Sequence, residues 1–301
     1  MKNKSRSFVL TDALYIALTV LPIAAALVLK VLTKAPADGI EITGAQIYLV
    51  LPMPLQDLPI TESQVNSWMV ILSLLGAILF LTHGLDARHP TVRQHVAEWI
   101  VEQSEKMVEN NMGAYFSGFA PFIASILALS AVSSLMSLFG LYPPTSDVNV
   151  VGGWAILVFF LITYYKMKCG PVQYLKSFGD PVPFLAPLNV ISEVATPISM
   201  AFRHYGNVLS GAVISTLIAT ALQGLSRLIL GWLPGFLGRI PYLQVGLPAI
   251  LSVYFDVFSG CLQAYIFAML TMLYVSGGFP ADEYEKRQIK KNQKKQLLQQ
   301  K

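Results

Sequence analysis

Residues 182–222 form an apolar run that carries only two charged side chains, Glu193 and Arg203. A guanidinium stays protonated in proteins, and at a bilayer centre it costs roughly 2.5–3.5 kcal/mol on insertion scales. A chain that keeps one in such a run needs it for a partner charge or for an ion path. As a helix of about 40 residues the run extends ~60 Å at 1.5 Å per residue, twice the hydrocarbon thickness. It must therefore tilt or protrude, and Pro197 is placed to bend it.

Whether Arg203 lies at depth depends on the rest of the chain. Only 13% of its residues are charged and 54% are hydrophobic, where soluble domains carry about a quarter charged residues. The reading is an all-α polytopic membrane protein with five to six crossing helices, the last two long and tilted. Spans of roughly 20 apolar residues fall at 11–32, 68–85, 115–141, 151–165, 182–222 and 245–275. The first span admits two readings. Its basic start and the Ala35-Pro36-Ala37 site suit a signal peptide, but its length favours a retained helix. Residues 91–110 read as an amphipathic helix on the cytoplasmic surface, with Val92, Val96, Trp99, Ile100 and Met107 on one face. Three units follow: an N-terminal segment and external loop over 1–66, a membrane domain over 67–280 and a basic cytoplasmic tail over 281–301.

Basic residues in short loops set the orientation. Arg88, Arg93 and Lys106 place the segment after the second span in the cytoplasm, and Lys166, Lys168 and Lys176 do the same after the fourth. The Lys-rich tail should also lie inside, so the number of crossings between Lys176 and the tail is even. One long crossing and one return meet that parity, and Arg203 then lies near mid-membrane. The site of action is the cell inner (plasma) membrane, with lipid as surroundings. Cys169 in a loop and Cys261 in a helix imply no disulfide and no metal site. The chain has no nucleophile elbow, zinc motif, phosphate-cradling loop or nucleic-acid patch. No cofactor is expected.

The polar chemistry gathers on the last two spans. Asn207 lies one helical turn beyond Arg203, with Ser210 and Gly211 one turn further and Gly206 adding small volume. On the last helix Ser252, Asp256, Ser259, Gly260 and Gln263 make one polar, small-residue stripe. Small residues in membrane helices usually serve close packing, and that covers Gly206, Gly211, Ser259 and Gly260. It does not cover Arg203, Asp256 and Glu193, since intramembrane ionisable groups are functional by default. Helix rise puts Glu193 ~15 Å to the cytoplasmic side of Arg203, and Asp256 ~10 Å towards the outer face. One carboxylate in each half, separated by a fixed cation, describes two half-channels that must not connect. Two structural readings remain open at this point: an Arg203–Asp256 ion pair, and an interfacial Glu193 satisfied by water. His204 reads as a packing or hydrogen-bonding residue.

The stretch from Pro197 to Gly211, with Arg203, then Gly206-Asn207, then Gly211, resembles the signature of subunit a of F-type ATP synthases. Gln263-Ala264-Tyr265-Ile266-Phe267 resembles its second signature, and Gly140-Leu141-Tyr142-Pro143 followed by Thr145 its early hairpin turn. The resemblance runs in order over residues 65–278. It implies a non-catalytic subunit of the bacterial type, clasping a rotating proteolipid c-ring beside peripheral stalk subunit b. Arg203 would face the ring carboxylate, with Gln263 and Asn207 beside it. Asp256 would serve the outer half-channel and Glu193 the cytoplasmic one. Ala212, Ser137 and His204 depart from the usual residues, so the outer relay would rest on Asp256 with Ser252 and Ser259. A secondary transporter that binds an anionic solute on Arg203 is the alternative, but the chain has no visible inverted repeat or paired broken helices.

Overall fold

The computed structural model describes residues 2–33, 44–54, 56–86, 90–168, 174–176, 178–179, 182–230, 242–277 and 279. Ala35 to Ala37, Arg88, Cys169, Arg239 and the Lys-rich tail lie outside the described residues. Helix dominates, and six helices are long and apolar enough to cross a membrane. The chain is an all-α polytopic membrane protein.

Helix α1 (Lys2–Thr33) packs along α2 (Glu62–Thr82). Gly76 makes the close approach possible, because a Cβ there would stand 2.6 Å from the Thr19 backbone nitrogen. Ser73 donates to the Thr19 carbonyl at 2.6 Å in the same contact. Both ends of the pair are fastened. At one end Asp12 accepts from His83 (2.9 Å) and Arg93 (3.0 Å); at the other Lys30 pairs with Glu62 at 2.8 Å. Glu62 is only 2% exposed. It also accepts from the Tyr142 backbone N–H at 3.2 Å, so its buried carboxylate has two donors. Sequence reading singled out neither Asp12 nor Glu62.

Between α1 and α2 a two-stranded antiparallel hairpin, β1 (Ile47–Leu51) and β2 (Leu58–Thr61), pairs Leu51 with Leu58. It falls where the sequence indicated only an external loop; Pro52 and Pro54 lie in the connection and Pro59 inside β2. Helix α3 (Val92–Met112) starts at Thr91, whose hydroxyl accepts from the Gln94 N–H at 3.3 Å. Its expected apolar face stays uncovered at Val92, Val96, Trp99 and Ile100, as a surface helix requires. Its far end departs from that expectation: Val108 and Met112 are buried in the main core.

That core joins α3, α4 (Ala120–Leu135), α5 (Val148–Met167) and the last helix through Ile123, Val158, Phe267 and Met272. The turn after α4 needs Gly140, whose φ of 72° is left-handed. Thr145 beyond it is fully buried and meets the Ser134 hydroxyl at 3.2 Å. Helix α6 (Ala186–Leu230) is a single long helix that continues through Pro197. The final span is α7 (Tyr242–Ser252), a π-helical segment (Val253–Ser259) and α8 (Gly260–Gly277).

Candidate functional site

Along α6 the expected single stripe divides in two. Asn207 and Gly211 face the last span: the Asn207 amide donates to Ser259 Oγ at 2.8 Å, and a Cβ on Gly211 would meet Phe255 at 3.1 Å. Arg203, Gly206 and Ser210 lie on the adjoining flank of the helix. Arg203 and Ser210 are exposed, and a Cβ on Gly206 would meet nothing within 4 Å. Gly206 is therefore not a packing glycine within this chain, unlike Gly211. Phe202, at 59% exposure, extends the uncovered surface beside Arg203.

Arg203 makes no ion pair or hydrogen bond among the described residues. The Arg203–Asp256 pair left open by the sequence does not form. Asp256 instead accepts from Ser252 one turn earlier. It lies in the π-helical segment, where i→i+5 bonding widens the turn and the offsets of an α-helical stripe no longer hold. The residues of the stripe meet different neighbours. Ser259 meets Asn207, Gly260 packs with a would-be Cβ 2.9 Å from Ser134 of α4, and Gln263 is buried at 5% exposure.

Beside Arg203, His204 is fully buried among four elements. Its Nε2 is 3.3 Å from Ser130 Oγ of α4, and its ring lies edge-on to Trp154 of α5 and Phe267 of α8. It is the packing residue that the sequence indicated, and its burial turns the neighbouring Arg203 outwards.

Glu193 is not left to water alone, as its interfacial reading had it. Its Oε1 accepts from Lys166 Nζ and from Tyr174 OH, each at 3.0 Å. Lys166 comes from the last turn of α5, so the pair ties α5 to α6. Burial, and then the hydrogen bond to Glu193 and its charge, push the Tyr174 phenol up, which keeps it a donor at neutral pH. A cavity of about 340 Å³ opens at Glu193, bounded also by Asn189, Ser192, Thr196 and Tyr274. Among the described residues no group of three or more His, Cys, Asp or Glu side chains could hold a metal ion.

The sequence profile of the family described as ATP synthase A chain matches residues 65–276. The chain belongs to this family. Relatives named ATP synthase subunit a agree along most of their length. The one from Legionella pneumophila strain Philadelphia 1 is 29% identical over 75% of this chain and 90% of its own. That from Macrococcus caseolyticus is 31% identical over 70% and 88%, and that from Trichlorobacter lovleyi 33% over 71% and 85%. As an ATP synthase A chain, the protein is a non-catalytic, multi-pass membrane subunit that works within the F-type ATP synthase. The family match takes in every residue of the site and excludes α1 and the β-hairpin. Lys166 and Tyr174 escaped sequence reading as site residues; Lys166 served there only as a topology signal, although its proximity to a span end was visible.

Proposed function

We propose that this subunit translocates an ion, a proton in our reading, through two offset half-channels at its interface with the rotating proteolipid ring, coupling ion flow to ATP synthesis. The carrying observation is the exposed guanidinium of Arg203, without a partner among the described residues, on an apolar helix with an open Gly206 beside it. A permanent charge in that setting calls for an opposite charge from outside the chain, and a carboxylate on each ring subunit supplies one. Arg203 keeps the passing carboxylate ionised and bars a direct path between the two halves.

The outer half-channel is assigned to Asp256, held by Ser252, with Ser259 and Asn207 in the adjoining seam. Glu193 and its cavity form the inner half-channel. The family signature assigns the buried Gln263 to the arginine, and the basic loops and tail face the cytoplasm of a cell whose plasma membrane holds the complex. Peripheral stalk subunit b completes the stator. The membrane potential supplies about 2.3 kcal/mol per charge per 100 mV. The test is ATP-driven proton pumping in inverted vesicles that carry the assembled synthase with Arg203→Ala. Loss of pumping with the complex intact is expected; pumping at the wild-type rate would overturn the proposal.

A further inference from the structure

We propose that Lys166 is a positioning residue of the inner half-channel: it fixes one oxygen of Glu193 so that the other is left to pass protons to the adjoining cavity. The inference rests on the reading of Glu193 as an inner-path group. Both donors converge on one atom, since Lys166 Nζ and Tyr174 OH each stand 3.0 Å from Oε1. Among the described residues no donor takes Oε2. The Glu193 side chain is only 11% exposed, so its rotamer is set by these two bonds and by packing. The cavity of about 340 Å³ beside it has room for on the order of ten waters at ~30 Å³ each. Its polar rim of Asn189, Ser192, Thr196 and Tyr274 offers them partners.

The transfer balances simply. Oε2 takes a proton from a protonated ring carboxyl, which regains its negative charge, and gives it to a cavity water; in the pumping direction the steps reverse. Glu193 ends each cycle as it began. Among the described residues three titratable groups face it: Lys166 from α5, Tyr174 from the segment after α5 and Tyr274 from α8. Of these only Lys166 brings a positive charge. Removing a neighbouring cation favours the protonated form of a carboxylate, so a neutral residue at 166 changes how flux depends on inner-side pH. A purely structural tie between α5 and α6 has no such signature.

The experiment measures ATP-driven pumping in inverted vesicles as a function of medium pH, which is the inner-side pH. For Lys166→Met the pH of half-maximal flux should move up. Lys166→Arg should restore the profile, and Tyr174→Phe, which removes a donor without a charge, should lower flux with the midpoint unmoved. An unmoved midpoint in Lys166→Met, with Glu193→Gln still impairing flux, would overturn the role of Lys166 alone. Unimpaired flux in Glu193→Gln would instead remove the inner-path reading, and this inference with it. Should Lys166→Met fail to assemble, a midpoint in Lys166→Gln equal to the wild type would likewise overturn the proposal.

Discussion

Glu193 and Arg203 are the two charges of one apolar run on α6, and the chain answers them differently. Glu193 is held by Lys166 and Tyr174 at the margin of a cavity. Arg203 projects from the bundle with no partner among the described residues, beside a glycine with open space over it. A charge that the fold itself satisfies can be part of a static path. A charge that the fold leaves open is complete only in a larger assembly, and the cost of carrying it is offset there. The same contrast divides the glycines: Gly211 belongs to the seam with Phe255, Gly206 to the open face.

Substitutions at the two glycines should separate these regions most strongly. Gly211→Leu drives a side chain into Phe255 and should destabilise the purified chain by about 1–3 kcal/mol in SDS titration. Gly206→Leu should leave that titration unchanged, yet reduce pumping in the assembled synthase more than tenfold by obstructing the passing ring. Equal destabilisation by both would erase the distinction between seam and open face. Asn207→Ala removes the hydrogen bond to Ser259; membrane interhelical bonds of this kind average about 0.6 kcal/mol, and the same titration should show a loss of that order. Ser210→Ala, on the open face, should fall within about 0.5 kcal/mol of wild type. Its Oγ bonds only to backbone carbonyls of its own helix, Gly206 and Asn207.

The spans were legible in the sequence because apolar length is a local property. The expected 151–165 and the observed Val148–Met167 differ by a few residues at each end. The N-cap of α3 and the turn at Gly140 were likewise readable from residue type. Three features were not. The β-hairpin forms with Pro59 inside β2; pairing across the turn decided it, and propensity did not. The π-helical segment carries no residue signal that sets it apart from α-helix. The bond from Lys166 to Glu193 joins residues 27 apart on different helices, which periodicity along one helix cannot reveal. At the site, the residues on α6 and the last span were visible, whereas Tyr174, the role of Lys166 and the division between seam and open face needed the packed helices.

Disulfide cross-linking in membranes that carry the assembled synthase tests this division most directly. A single cysteine is placed on α6, and a second beside the carboxylate of the ring subunit. Ser210→Cys, one face with Arg203, is expected to form the cross-link, and Asn207→Cys, turned into the seam, is not. A cross-link from Asn207→Cys alone, or from neither position, would contradict the account that the open face of Arg203 meets the ring.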